Sequence, residues 1–140
     1  MTYKITDIEG IGREYGEKLK SLGIQTTDDL LRHSADERSI RTLAEKSGVS
    51  EKLFEKWTKM SRLMRVNGIG PQYSELLFIA GVDTVEKLRE QPVDGLVKKL
   101  AEVNATRNLT NALPTVTDVQ KWMANARTTT HTPDPAPVRN

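Results

Sequence analysis

Cysteine is missing from this chain of 140 residues, and aromatic residues make up only 5% of it. The absence of cysteine excludes a disulfide framework and any metal site built from thiolates. Hydrophobic residues reach 36% of the total, so Leu, Ile, Val and Met must supply most of the core. These values are typical of one compact domain or of two small ones.

Long hydrophobic runs are missing as well. No stretch approaches the roughly 20 apolar residues that a membrane-spanning helix needs. The first ten residues also lack the basic and then apolar pattern of a signal peptide. We therefore expect a cytoplasmic protein that has no membrane among its partners.

A strong excess of basic charge is the third missing feature. The net charge is +2, with 13 Lys and Arg against 11 Asp and Glu in residues 1–65 and 7 of each in residues 66–127. A protein that coats DNA is usually far more basic, because neutralising phosphates supplies most of its non-specific affinity. This balance argues against extensive DNA binding and leaves a small phosphate contact open.

Residues that would indicate catalysis are scarce. The two histidines, His33 and His131, belong to no recognisable catalytic triad or metal-ligand spacing. The carboxylates are scattered, and most of them are explained as helix caps or surface ion pairs. We therefore expect a protein that is not an enzyme, with no catalytic residue, no metal and no cofactor.

What the chain does contain is an internal repeat. Residues 8–32 align with residues 66–90 at a shift of 58, with 9 identities in 25 positions. Further on, "LAE" occurs at residues 43–45 and 100–102, and Trp57 corresponds to Trp122. We predict two copies of one unit, over residues 1–65 and 66–127, followed by a disordered tail at residues 128–140.

Both copies are predicted to be helical throughout, which makes the fold class all-α. Apolar residues at helical spacing predict helices over residues 12–22 and 50–66 in the first copy, and over residues 71–80, 84–90 and 92–103 in the second. We expect N-caps at Thr26, Ser34 and Ser50, and at Thr117 for a last helix that ends near Arg127.

The predicted helix over residues 50–66 is amphipathic. Trp57 lies on its apolar face, and we expect both tryptophans to pack in the core rather than stack on bases. The opposite face is basic, and we expect it to be a solvated surface with pairs such as Glu55–Lys59. Its basic residues are Lys52, Lys56, Lys59 and Arg62.

Each copy contains a Gly-Ile-Gly turn, which we call hairpin one (residues 9–13) and hairpin two (residues 67–71). The glycine spacing is that of neither a dinucleotide loop nor a Walker loop. Glycines permit positive φ and leave backbone N–H groups uncovered, and the following helix N-terminus favours anions. The middle residues, Ile11 and Ile69, are expected to enter the core. Such a turn fits a sequence-independent phosphate contact, or it only connects tightly packed helices.

These turns resemble those of the helix-hairpin-helix group. More narrowly, "IEGIG", "LKSLGI", "LAEKSGVS", "LMRVNGIGPQYSELLFIAGVDTVEKL", "LAEVN" and "LPTVTDVQKWMANA" resemble the bacterial family named domain of unknown function 4332, over roughly residues 3–127. The resemblance implies a compact tandem of all-helical, hairpin-type domains, similar to the C-terminal domain of the RNA polymerase α subunit. It implies no particular activity.

Two functions follow from these patterns. The first is weak, sequence-independent binding to the backbone of double-stranded DNA; the second is docking of a partner protein or self-assembly without nucleic acid. Acidic neighbours weaken hairpin one, whereas Lys59, Arg62 and Arg65 precede hairpin two and residues 56–74 contain no acid. We therefore expect hairpin two to be the better DNA binder. The predicted DNA contacts are Arg62, Arg65, Asn67, Gly68, Gly70 and Gln72 at hairpin two, and Gly10, Gly12 and Arg13 at hairpin one. An exposed apolar patch would favour the protein partner instead, and the oligomeric state stays open.

Overall fold

Eight α-helices follow one another in the computed structural model, which describes residues 2–129. A single 3-10 turn, Ile5–Asp7, precedes them, and an isolated β-bridge joins Lys4 to Thr26. The helices are α1 Arg13–Ser21, α2 Thr27–His33, α3 Glu37–Ser47, α4 Glu51–Leu63, α5 Pro71–Ile79, α6 Val85–Glu90, α7 Val93–Arg107 and α8 Val116–Ala126. The fold is all-α and compact, as predicted. The predicted tail, residues 128–140, lies outside the described residues except for its first two.

None of the helices in the described part of the chain combines the length and the apolar character that crossing a membrane requires.

Two of the four predicted side-chain caps are found where the sequence predicts them. Thr26 caps α2 in a full capping box with Asp29. Ser50 caps α4 by accepting a hydrogen bond from the backbone N–H of Leu53. Each cap satisfies a backbone donor that the first turn leaves unpaired, which positions the helix start to within a residue.

Two predicted caps are wrong. Asp36, not Ser34, caps α3, and Ser34 is instead buried, where its hydroxyl accepts a hydrogen bond from Thr58. Thr115, not Thr117, caps α8 in a second full capping box. In both cases several polar residues precede the helix, so local sequence offers more than one possible cap. Packing of the preceding turn selects one of them.

The apolar side chains form two core clusters. The first contains Ile8, Leu19 and Trp57 and is built from α1 to α4; the second contains Ile69, Leu77 and Trp122 and is built around α5 to α8. Both tryptophans are only 2% exposed, which confirms that they belong to the core. Helix α4 packs against α2 and α3 on one side and against α5 on the other. It is therefore the element that joins the two clusters.

The backbone repeats from one half to the other. Gly10 and Gly68 have φ angles of +93° and +98°, and Gly23 and Gly81 have +85° and +87°. A ring contact also recurs, since Tyr15 lies 5.7 Å from Trp57 and Tyr73 lies 5.2 Å from Trp122 between centroids. The positive φ values show why glycine occupies these four turn positions. The assignment of the halves to helix-hairpin-helix units, with a boundary after residue 65, stays a prediction.

Candidate binding surfaces at the two hairpins

The two hairpins have the same backbone. Ile11 and Ile69 are buried, as predicted, and each donates its N–H to the residue three positions earlier at 3.1 Å. Gly12 and Gly70 are the N-caps of α1 and α5, and neither has a side chain to cap the helix. The N–H groups of both first turns therefore remain available for an external acceptor, which a phosphate or a carboxylate can supply.

Aromatic side chains lie beside both glycines of hairpin two, although Gly68 itself is exposed. A Cβ added to Gly68 would lie 3.0 Å from the indole ring of Trp122, and one added to Gly70 would lie 3.8 Å from the hydroxyl of Tyr3. Asn67 is exposed, and its carbonyl accepts a hydrogen bond from Asn125 at 3.0 Å. A phosphate group approaching this turn therefore meets side chains of α8 and of the N-terminal segment.

The basic residues before hairpin two are partly neutralised. Arg65 donates to Asp28 of α2 at 3.0 Å, and Lys59 donates to Asp83 at 2.8 Å. Arg62 points away from the hairpin, into a groove that also contains Asp36 and Glu55. The sequence places these three cations close to the turn, but the structure directs all three elsewhere.

The hollow beside hairpin two is small and of mixed charge. It has a volume of about 220 Å³ and is lined by Asn67, Gly68, Tyr73, Asp118, Lys121, Trp122 and Asn125. Burial raises the pKa of Tyr73, and the negative charge of Asp118 raises it further. A carboxylate at the mouth opposes a phosphate, so the hollow adds little to an anion site. Gln72, the remaining predicted contact, is exposed in the first turn of α5.

Hairpin one borders a larger groove, which we call groove one. Its volume is about 700 Å³, and its lining is Lys4, Ile5, Thr6, Ile11, Gly12, Arg13, Gly16, Glu17, Lys20, Ile24, Gln25 and Thr26. Three buried isoleucines form the floor, and the charged side chains at the edge are exposed. Cβ atoms built on Gly10 and Gly12 would meet nothing within 4 Å. Both glycines of hairpin one therefore face open space, whereas those of hairpin two have aromatic side chains beside them.

Charge at the edge of groove one is mainly positive. Lys4, Arg13 and Lys20 stand against one carboxylate, Glu17. Among the described residues, no ion pair engages any of the four. A groove of this volume, edged by charged side chains that have no ion pair among the described residues, is a candidate surface for binding another molecule.

The repeat places the equivalent of groove one on α5 and the loop after it, at Ser74, Glu75, Phe78, Val82 and Asp83. We call this surface groove two, and α4 fills it. Lys56 donates to Glu75 at 2.8 Å, and its ammonium lies 5.8 Å from the ring centroid of Phe78. Lys59 reaches Asp83 in the loop after α5. The prediction that this basic face is solvated and pairs within its own helix is therefore wrong for Lys56 and Lys59.

Asp83 is the carboxylate of groove two that two lysines contact. It accepts hydrogen bonds at 2.8 Å from both Lys59 and Lys87. Burial raises the pKa of Asp83, but the two hydrogen bonds and the two positive charges together outweigh burial and hold that pKa below its ordinary value. The carboxylate is therefore charged at neutral pH and joins α4 to the second half of the chain.

A comparison with protein families gives the relationship of the chain to known sequences. The family model described as domain of unknown function (DUF4332) matches residues 9–129. The chain belongs to this family. The match confirms the resemblance inferred from the motifs, and it spans both hairpins and all eight helices. No curated protein and no solved structure matches the chain.

Sequence reasoning missed groove one in this DUF4332 chain. The sequence predicts Gly12 and Arg13 as DNA contacts of a turn, whereas the groove that they line also needs Ile5 and Ile24 from either side of α1. One signal was present: the repeat replaces Phe78 with Lys20, and Asp83 with Gln25. A repeat that keeps its apolar positions but changes charge at one surface indicates that the two surfaces have different neighbours.

Proposed function

We propose that this DUF4332 chain is a non-catalytic binding module whose groove one receives part of a partner protein. The observation that carries the proposal is the groove itself: an apolar floor of Ile5, Ile11 and Ile24, an open mouth, and charged residues without an ion-pair partner among the described residues. Buried apolar area supplies most of the affinity at such surfaces, and the charged edge selects the partner.

Photo-crosslinking tests this proposal. A photoreactive amino acid replaces Lys20 in the groove, with Gln120 on the exposed face of α8 as the control position. In extracts of cells that encode the chain, we expect one discrete protein adduct from position 20 and none from position 120. Excess wild-type chain should abolish the adduct, whereas excess Gln25→Trp variant, which fills the groove with an indole, should not.

The same adduct from both positions, or no adduct from either, would remove the groove as the contact surface. Circular dichroism of the Gln25→Trp variant provides the folding control, because Gln25 is exposed and its replacement leaves the core unchanged.

The second candidate function is weak binding to the backbone of double-stranded DNA. It is favoured by the uncapped N-terminus of α1 next to Arg13, with open space at Gly10 and Gly12. Hairpin two offers the same uncapped turn, but the ion pairs of Lys59 and Arg65 reduce its positive charge. Phosphate binding through hairpin one is therefore the form of the DNA hypothesis that fits the geometry better.

Titration of a labelled duplex at low salt tests this second function. If hairpin one contacts DNA, Arg13→Ala/Lys20→Ala should weaken binding and lower the slope of log K against log salt by about 0.9 per lost phosphate contact. In that case, Arg62→Ala/Arg65→Ala should change the affinity and the slope little. The reverse pattern would assign the contact to hairpin two, and no binding at low salt would reject DNA as a partner.

A further inference from the structure

Groove one and groove two are equivalent surfaces in the internal repeat. The shift of 58 that aligns the two halves also aligns the residues that line the grooves. The corresponding pairs are Gly16 and Ser74, Glu17 and Glu75, Lys20 and Phe78, Ile24 and Val82, and Gln25 and Asp83. A structural element that docks on groove two should therefore also fit the backbone of groove one, and only these side-chain changes distinguish the two grooves.

The occupant of groove two is an amphipathic α-helix. Helix α4 places Lys56 between Glu75 and Phe78, and one turn later it places Lys59 beside Asp83. Under α4, Glu75 is only 8% exposed. The interface thus combines apolar packing with two ion pairs, on one face of the helix.

Groove one shows the same surface without such a helix. Glu17 is exposed where Glu75 is buried, and Gly16 is half-buried where Ser74 is fully buried. Among the described residues, the N-terminal segment closes only one side of the groove, where a Cβ on Gly16 would lie 2.9 Å from the methyl group of Thr6. The surface of α1 around Gly16 and Glu17, which corresponds to the α5 surface that α4 covers, therefore remains open to the outside, while the isoleucines beneath it are at most 3% exposed.

We propose that groove one binds an amphipathic α-helix of a partner protein, seated as α4 is seated on α5, and that this helix carries net negative charge. The inference rests on the proposed function, and it names the class of partner. Helix-in-groove recognition reads apolar residues at a spacing of three and four, and charges at the edge fix orientation and partner choice.

The sign of the charge follows from the substitutions between the repeats. Groove two contains the carboxylates Glu75 and Asp83, and α4 pairs a lysine with each of them. Groove one replaces Asp83 with the neutral Gln25 and Phe78 with Lys20, and the edge also contains Lys4 and Arg13. Three cations against one carboxylate require a helix that is richer in Asp and Glu than in Lys and Arg.

A second copy of the chain is a poorer occupant. Its α8 corresponds to α4 in the repeat and would be the natural helix to dock head to tail. However, α8 carries the exposed Lys121 at the position of Lys56, and Arg127 follows it at the C-cap. The repeat would place Lys121 beside Glu17, as Lys56 lies beside Glu75. With Arg127 and a single acid, Asp118, α8 is nevertheless net positive, so it suits the cationic edge of groove one less well than an acidic helix does.

The test uses two synthetic helices of opposite charge. Both have the sequence of residues 51–63, with a hydrocarbon staple at positions 54 and 58, which are one helical turn apart; in this chain Thr58 donates to Ser34 at the end of α2. The acidic peptide has Glu at the four basic positions, 52, 56, 59 and 62, and the basic peptide keeps Lys and Arg there. The apolar residues, the length and the staple are therefore matched.

Fluorescence anisotropy at low salt should show that the acidic peptide binds the full chain at least about tenfold more tightly than the basic peptide. Lys4→Glu/Lys20→Glu should reverse this preference. The matched control is Lys98→Glu/Lys99→Glu on α7, which makes the same change of net charge at exposed positions away from hairpin one. Gln25→Trp should abolish binding of both peptides.

Each other outcome contradicts the inference in a distinguishable way. Equal affinity for the two peptides, or binding that ignores Lys4→Glu/Lys20→Glu, would refute the acidic helix. No peptide binding, together with a protein adduct at position 20, would refute the helix and leave the proposed function standing. Reversible dimerisation lost on Lys121→Glu would assign the groove to a second copy. If a DNA duplex displaces the acidic peptide, and the displacement requires Lys20, groove one would be assigned to nucleic acid.

Discussion

Hairpin one and hairpin two share a backbone and differ in what packs around it. The φ angles of Gly10 and Gly68 agree to within 5°, at +93° and +98°. Yet Gly68 lies under Trp122, while the space beside Gly10 is open. Duplication of a turn thus preserves its geometry, but its availability to a partner depends on elements that are distant in sequence.

The two hairpins also differ in the positive charge that remains unpaired near them. The sequence neighbourhood of hairpin two is basic and that of hairpin one is mixed, which predicts hairpin two as the anion site. In the folded chain, Lys59 and Arg65 are in ion pairs near hairpin two, whereas Lys4, Arg13 and Lys20 converge on groove one. Charge counted along the chain is therefore a poor guide to charge at a surface when ion pairs connect separate helices.

The largest effect should come from removing the glycines of the two hairpins. Gly68→Ala adds left-handed strain of about 1–2 kcal/mol and a Cβ that meets Trp122 at 3.0 Å, so we expect a total loss of about 3 kcal/mol. Gly10→Ala has the strain alone and should cost about 1 kcal/mol. Urea denaturation of both variants measures the difference. Equal costs would show that Trp122 moves aside and that hairpin two is less tightly covered than described.

An intermediate effect should separate the two equivalent glutamates. Glu75→Gln leaves Lys56 without its carboxylate at a mostly buried interface, and should lower the free energy of unfolding by about 1–2 kcal/mol, since the lysine itself keeps partial contact with water. Glu17→Gln should change it by less than about 0.5 kcal/mol, because Glu17 is exposed. Double-mutant cycles with Lys56→Met measure the coupling. A coupling near zero would mean that α4 is held by apolar packing alone.

The smallest effect should be the pH-dependent contribution of Asp83. Its pKa is lower in the folded chain than in the unfolded chain, so its stabilisation is complete at pH values above the unfolded pKa and disappears as pH falls through the folded pKa. Asp83→Gln, which copies Gln25 of groove one, should cost about 1 kcal/mol at pH 7. The cost should shrink as pH falls below about 4.

Denaturation curves between pH 3 and pH 7 measure this trend, with Glu102→Gln on the exposed face of α7 as the matched control. A cost for Asp83→Gln that stays constant over this range would contradict the role of the charged carboxylate.

Local features of the fold were predictable because their causes act over a few residues. Thr26 and Ser50 cap their helices through hydrogen bonds to residues three positions later. The ends of helices were less predictable: α4 stops at Leu63, short of the predicted residue 66, and α7 continues to Arg107, past the predicted residue 103. Helix ends depend on tertiary packing as well as on propensity, which explains these errors.

The candidate surfaces were less predictable because their contacts are long-range. The ion pairs Lys56–Glu75, Lys59–Asp83 and Arg65–Asp28 join residues 19, 24 and 37 positions apart. Nothing in a helical periodicity specifies which surface a lysine will meet at such separations. The preference for hairpin two as the anion site depended on cations that the structure places in these pairs.

By itself, the sequence determined the all-α class, the repeat and the burial of Ile11 and Ile69, since these follow from periodicity. It did not determine which glycine of each turn has positive φ: Gly10 and Gly68 do, and Gly12 and Gly70 do not. Only the tertiary structure decided that α4 packs on α5 and leaves the equivalent surface beside α1 open. The physical reason is that α4 has a limited surface, which packs against α2 and α3 and against α5. It can bury its lysines against Glu75 and Asp83, and it cannot cover the matching groove in the first half at the same time.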